Sequence, residues 1–285
     1  MMKIVLAVIL LFIGYQLIGL FMSSKQEAAQ SDQPPATIAP VPLLLGMVLL
    51  DEPNSLNLEG FFAELAHKWH LDIKNLDAKS DVAVFDTNGY HIAVANMAFP
   101  VPGKEVQETT KINYLWKNAE SEIIKSKGHI ILTLTNAGDD PIAENLLYSK
   151  LASSLMNNSK SMGIYMGGRT LVLRKDFYQD NVESMSTEDL PLFIWLYFGL
   201  VKEDRKQSIY TYGLADFGKK EMEILDSEHP NSELTEMMFN MVHYVIASDV
   251  ELQDGETIGM SAEQKLTISE SEGRYLEGVT LKIAY

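Results

Sequence analysis

Between Tyr210 and Ile224 the chain reads Tyr-Thr-Tyr-Gly-Leu-Ala-Asp-Phe-Gly-Lys-Lys-Glu-Met-Glu-Ile. Aromatic, β-prone residues lead into two glycines, and the chain returns as alternating Glu221, Met222, Glu223 and Ile224. Successive side chains of a strand point to opposite faces, so this pattern asks for a strand, a bent connection and a second strand with one acidic and one apolar face. An apolar face of that kind must be covered. The segments on both sides are therefore read as elements that pack against this pair.

The region before it has the same character. Leu43–Leu50 is a continuous apolar run that ends at Asp51-Glu52-Pro53-Asn54, and Ser55–His70 spaces Leu58, Phe61, Phe62, Leu65 and Trp69 for one face of a helix. Val82–Phe85 and Ile92–Met97 flank Asn88-Gly89, a dipeptide suited to the positive φ angles of a two-residue hairpin turn. Glu105–Lys127 is expected to be one helix stopped by Gly128, followed by a buried strand at His129–Thr135. The resulting order is β-α-β-β-α-β, the ferredoxin-like arrangement. After Asp140-Pro141 a helix is expected through Ala143, Leu147, Leu151 and Leu155, then a Gly-interrupted strand or hairpin over Gly163–Leu173. Leu192–Val201 reads as a long apolar strand. Leu234, Met237, Met238, Met241, Val242 and Val245 form the stripe of a helix. Asp254-Gly255 marks a second hairpin, between Val250–Gln253 and Thr257–Met260, and Leu266–Ser269 with Val279–Ile283 form a final strand pair. The expected fold class is α+β: a ferredoxin-like first half, about 43–136, joined to a second α+β half, about 137–285, with a mostly antiparallel sheet.

The amino-terminal part is different. Ile4 to Met22 is nineteen residues without a charge, long enough to span a bilayer, and Lys3 precedes it. Residues 1–22 are thus expected to be a membrane anchor with its amino terminus inside, or alternatively a cleaved signal. Ser23–Pro42, with Pro34-Pro35, Pro40 and Pro42, is a solvated tether. This reading makes the membrane a partner and places the globular domain outside the cytoplasm.

Charge and composition narrow the chemistry. The chain has 39 acidic and 23 basic residues, and residues 221–285 hold fourteen Asp and Glu against Lys265, Arg274 and Lys282, a local balance of −11. Such a surface repels phosphate backbones and suits a basic protein partner, so nucleic acid is excluded as a partner. There is no cysteine, which removes disulfides, thiolate nucleophiles and cysteine-held metal. His67 and His70 are spaced as metal ligands can be, but no third ligand is identifiable, and neither a metal nor a cofactor is assigned. Asp249, Glu251, Asp254 and Glu256 put Asp254 where a calcium loop of the EF-hand type needs glycine. His129 and His243 are read as hydrogen-bonded structural histidines. No catalytic residue is assigned. The residues singled out for binding are Tyr210, Tyr212, Glu221, Glu223, Glu251, Asp254 and Glu256.

Several stretches resemble the bacterial family known as domain of unknown function 4261. They are Phe99-Pro100-Val101-Pro102-Gly103, Asn113-Tyr114-Leu115-Trp116, His129-Ile130-Ile131 and Pro191-Leu192-Phe193-Ile194-Trp195. Tyr210-Thr211-Tyr212-Gly213-Leu214, Asp254-Gly255-Glu256-Thr257-Ile258-Gly259 and Gly278-Val279-Thr280-Leu281-Lys282-Ile283-Ala284-Tyr285 complete the set. The resemblance covers most of residues 43–285 and carries no assigned activity. The Thr-Tyr-Gly-Leu stretch with its acidic-apolar strand is also similar to suppressor-of-fused-type domains, protein-binding domains that bacteria use as toxin-immunity proteins. The expected function is a membrane-tethered, non-enzymatic protein-binding or protective module. The alternative is a carboxylate-based hydrolase built on Glu221, Glu223 and the Asp254–Glu256 turn.

Overall fold

The structure, a computed structural model, describes residues 43–136, 140–259, 261 and 264–285. In chain order its first elements are β1 (Leu43–Leu50), α1 (Leu58–His67), β2 (Lys74–Ala78), β3 (Val82–Thr87) and β4 (Tyr90–Met97). Next come α2 (Glu105–Thr110), α3 (Ala119–Ile123), β5 (Gly128–Thr135), α4 (Pro141–Asn157), β6 (Ser161–Met166) and β7 (Leu171–Arg174). The chain continues with α5 (Lys175–Ser184), α6 (Leu192–Trp195), β8 (Tyr197–Glu203), β9 (Lys206–Tyr212) and β10 (Met222–Ser227). It ends in α7 (Asn231–Ala247), β11 (Thr257–Ile258), β12 (Leu266–Glu272) and β13 (Val279–Ile283). The fold class is α+β.

Two compact units share these elements. Of the described residues, the first holds 43–104, 121–136, 140 and 147–165, and the second 105–120, 141–146, 166–259, 261 and 264–285. In the first unit the strands run in the order β2-β3-β4-β5-β1-β6. Every pairing among them that involves β1, β3 or β4 is antiparallel. The turn at Asn88-Gly89 is the expected hairpin: φ is 50° and 87° at the two residues, and Thr87 faces Tyr90. Asn57 caps α1 by accepting from the Gly60 N–H at 3.0 Å, and the helix buries Phe61 and Leu65. The Phe61 and Phe62 rings lie 6.3 and 5.3 Å from that of Phe85. His129, buried at the start of β5, donates from Nδ1 to the Phe99 carbonyl at 2.8 Å, and burial pushes its imidazole below the ordinary value. The β-α-β-β-α-β order is present along the chain, with an added edge strand β2 and a divided second helix. In the sheet, β5 lies between β4 and β1. The ferredoxin-like character is therefore one of order along the chain.

The division of that helix has a local cause. Over 111–118 the chain is not helical, and Asn113 holds it there. The Asn113 side-chain oxygen accepts from the N–H groups of Leu115 (2.9 Å) and Trp116 (3.2 Å), while its amide donates to the Val172 carbonyl. An asparagine that satisfies backbone groups two and three residues ahead replaces helical bonds with a turn. Leu192–Val201 also differs from expectation: Pro191 precedes a single helical turn, α6, and β8 begins only at Tyr197.

In the second unit the sheet order is β11-β12-β13-β10-β9-β8, with β10 and β13 parallel and the other pairings antiparallel. One face is apolar. Ile209, Met222, Ile224, Ile268 and Leu281 are buried, and α7, which packs against β9, buries the full stripe from Leu234 to Val245. Asp254-Gly255 does form a turn, with Gly255 at φ 81°, but residues 250–253 are not a strand. β11 pairs with β12 instead.

The membrane reading requires correction. Among the described residues no helix is long and apolar enough to cross a membrane. α4 and α7, at 17 residues each, carry Glu144 and Lys150, and Glu233 and Glu236, where a span needs about 20 predominantly apolar residues. This finding overturns the transmembrane anchor, the membrane as a partner, and the placement of the domain by an amino-terminal helix. Residues 1–22 and the tether at 23–42 lie outside the described residues.

Candidate functional site

The register of the second sheet lines up one row of residues on its polar face: Gly199 in β8, Tyr210 in β9, Glu223 in β10, Lys282 in β13 and Ser269 in β12. Directly opposed residues of neighbouring strands share a face. Gly199 leaves room for the Tyr210 ring to lie across its backbone. The connection between β12 and β13, residues 273–278, then folds back over this row. Its Tyr275 ring stacks on Tyr210 (centroids 5.5 Å apart, 24° between planes), and Tyr197 meets Tyr210 edge-on at 6.0 Å.

Glu223 is the anchor of that connection. It is fully buried, not solvated. Its carboxylate accepts from the backbone N–H of Arg274 (3.1 Å) and Tyr275 (2.9 Å), from the Thr280 hydroxyl (2.9 Å) and from Lys282 Nζ (3.0 Å). Burial disfavours the charge. The Tyr275 and Arg274 amides, Lys282 and Thr280 together outweigh that cost and hold the carboxyl below its ordinary value. Arg274 closes the arrangement from outside, with Asp226 at 2.7 Å and Glu203 at 2.9 Å.

Glu221 does a different job at the other end of the strand pair. Gly213, at φ 112°, and Gly218, at φ 68°, bracket a 3-10 turn at Leu214–Phe217. Glu221 accepts from the Gly213 N–H and the Thr211 hydroxyl, each at 2.7 Å, and so pins this turn to β9. Burial pushes its carboxyl above 4.5, an effect that these donors only partly offset. The fold therefore favours the neutral form of Glu221. Its contribution is fully present below pH 4.5 and is lost as pH rises through the raised value. The Glu221→Gln variant keeps an acceptor for Gly213 and has no charge to bury. Wild type is expected to lose more stability than this variant between pH 4.5 and pH 7, read by thermal melts. Parallel curves for the two proteins would show that the turn does not respond to the charge.

Glu223 in β10 and Glu221 just before it share no hydrogen-bond partner, and each is occupied by donors of its own chain. They form no acid–base pair. Glu251, Asp254 and Glu256 are exposed. Asp254 Oδ1 accepts from the Glu270 N–H (2.9 Å), and Glu256 Oε2 accepts from the Gln253 N–H (2.8 Å). Glu251 and Glu256 come together on a cleft of about 780 Å³, beside Asn240, Met241 and Tyr244 of α7. His243, on the same helix, is tied through Nε2 to the Glu188 carbonyl (3.0 Å).

Tyr212 is open to solvent, and the residues near it were not legible as a group. Its cross-strand partner is Tyr197, whose hydroxyl donates to the Ile112 carbonyl at 3.0 Å. Ile112, Tyr114 and Tyr212 are 49%, 39% and 38% exposed. Burial, then the neighbouring Tyr210 and Tyr114, push the Tyr197 hydroxyl above its ordinary value, so it remains a neutral donor. Tyr210 and Tyr212 could be read from the sequence. Ile112, Tyr114, Tyr197 and Tyr275 could not, because no local pattern links segments this far apart.

Comparison with known proteins returns no curated protein and no solved structure, and the likeness to suppressor-of-fused-type domains is not supported. The model of the family described as Domain of unknown function (DUF4261) matches residues 210–284, the stretch that holds Tyr210, the Glu221 turn, buried Glu223 and the cleft beside α7.

Proposed function

We propose that this protein is a non-enzymatic protein-binding module whose contact face is the tyrosine cluster of the second unit. The observation that carries the reading is the grouping of exposed Ile112, Tyr114 and Tyr212 around Tyr197. Three large, partly apolar side chains exposed around one sheet tyrosine, Tyr212 from β9 and Ile112 and Tyr114 from the 111–118 segment, are what a protein interface uses at its centre, where aromatic anchors supply most of the binding energy. Their support is rigid. Tyr197 is hydrogen-bonded beneath Ile112, and Tyr210 and Tyr275 stack behind it, so little side-chain entropy is lost on contact. Glu221 and Glu223 serve this arrangement from below: one fixes the turn that follows Tyr212, the other fixes the segment that carries Tyr275.

The test is capture of a partner by tagged full-length protein from cells that express it naturally, compared with the Tyr114→Ser and Tyr212→Ser variants. Each substitution removes exposed surface and is expected to leave the melting temperature within about 2 °C of wild type. Each is expected to weaken capture roughly tenfold or more, the loss typical of an interface anchor. Equal recovery of the partner by wild type and by both variants would overturn the tyrosine face as the contact.

A further inference from the structure

The cleft beside α7 lies apart from the tyrosine cluster in its residues and is built differently. On the helix side it is lined by Tyr244, 49% exposed, over the buried Met241, and Val250 and Leu252 line it as well. Glu251 and Glu256 line it too, and among the described residues no lysine or arginine does. A second recess of about 220 Å³ shares Val250, Glu251 and Leu252 and is lined also by Lys219 and Lys220, whose ammonium groups are taken by Asp249 and Glu270.

Neighbouring acids are already matched. Asp249 pairs with Lys219 at 2.6 Å, Glu270 with Lys220, Glu223 with Lys282, and Asp226 with Arg274. Glu251 has no such partner among the described residues, and Glu256 accepts only from a backbone N–H. Two carboxylates without a salt-bridge partner among the described residues thus share with the exposed Tyr244 ring a hollow large enough for several side chains. This combination suits a lysine or arginine: the aliphatic stem packs along Tyr244, the ring face attracts the cation, and the carboxylates receive its N–H groups. An uncharged segment would leave the carboxylates unmatched, and an acidic one would be repelled.

We propose that this cleft docks an exposed basic segment of a protein partner, with Glu251 and Glu256 taking the cationic ends and Tyr244 the stems. The proposal does not depend on the tyrosine cluster, and its test leaves that face untouched.

The probe is a fluorescently labelled, glycine-spaced peptide of alternating arginine and lysine, titrated into the full chain at low salt and followed by anisotropy. A matched peptide with glutamine at every basic position is the control. Binding is expected for the basic peptide alone, weakened roughly three- to tenfold by the paired Glu251→Gln and Glu256→Gln substitutions, since two exposed charge contacts are lost. Tyr244→Ala is expected to weaken it by a similar factor without altering net charge. Glu228→Gln paired with Glu272→Gln removes the same charge from exposed positions that do not line the cleft and is expected to leave binding unchanged. Equal weakening by the two double variants, or no effect of Tyr244→Ala, would overturn the cleft in favour of attraction to net charge alone. Failure of the basic peptide to bind at all would overturn it as well. So would a dimer that excludes the peptide and dissociates with the cleft variant, which would make a second copy the occupant.

Discussion

Glu223→Ala is expected to destabilise the protein by roughly 3–5 kcal/mol, the cost of removing one member of a buried charge pair. At about 2–4 °C per kcal/mol for a domain of this size, the melting temperature should fall by about 10 °C. The loss is large because four donors converge on this carboxylate: the amides of Arg274 and Tyr275, the Thr280 hydroxyl and Lys282 Nζ. Removing the side chain leaves an ammonium and three polar groups without their acceptor in a buried place. The segment 273–278 then loses its attachment from beneath. Hydrogen exchange should show this locally, with the Arg274 and Tyr275 amides losing protection before the strands β9 and β10 do. Glu223→Gln, which keeps one oxygen for the amides but sets an NH2 group against Thr280 or Lys282, should fall between alanine and wild type.

Acid gives a second reading of the same residue. The Glu223 carboxyl is held below 4.5, so its contribution is present above pH 4.5 and is lost as pH falls through the depressed value. Glu221 is shifted the other way and contributes below pH 4.5. The variant Glu223→Gln should therefore have a shallower acid limb than wild type, and Glu221→Gln should not. A Glu223→Ala protein that melts within 1 °C or so of wild type, or an acid limb unchanged in Glu223→Gln, would show that the carboxylate is not the anchor of the segment.

What could be read in the sequence was whatever a short stretch decides by itself. Asn88-Gly89 specifies its hairpin because both residues accept positive φ and the flanking runs pair directly. The α7 stripe is likewise a local pattern, and all six of its named positions are buried. The failures are non-local. Glu105–Lys127 has helical spacing, but Asn113 is drawn to the Val172 carbonyl, 59 residues away, and the helix divides around it. Leu192–Val201 is uniformly apolar, and a run without periodicity cannot distinguish a buried helical turn from a strand. Alternating Glu221 and Glu223 fit a solvated face equally well. Glu223 is buried only because residues 274–275 arrive from 51 positions later to donate to it. The placement of β5 between β4 and β1 depends on pairings that no single stretch contains. The same holds for the site: Glu251 and Glu256 were visible as acids, whereas the Tyr244 wall opposite them appears only once α7 is set against the 250–259 segment.

Gly199→Ala should destabilise the second unit by roughly 1–3 kcal/mol, as adding a methyl group to a filled place does. In isolation the change should help a strand, since glycine costs backbone entropy and packs nothing. Here a Cβ would stand 2.1 Å from Tyr210 Cζ, 2.2 Å from Cε1 and 2.6 Å from Oη. Contacts this short require the ring to move, because glycine and tyrosine face each other directly across β8 and β9. If Tyr210 moves, its stacking on Tyr275 and its edge contact with Tyr197 go with it. The platform beneath Ile112, Tyr114 and Tyr212 would then loosen, and partner capture should weaken even though no exposed residue has changed. A double-mutant cycle isolates the cause. In a Tyr210→Ala background the ring is gone, and Gly199→Ala should become neutral or stabilising, a reversal of sign with a coupling of about 1 kcal/mol or more. Equal destabilisation by Gly199→Ala in both backgrounds would mean that the glycine answers to some other neighbour, and the tyrosine platform would lose its structural basis.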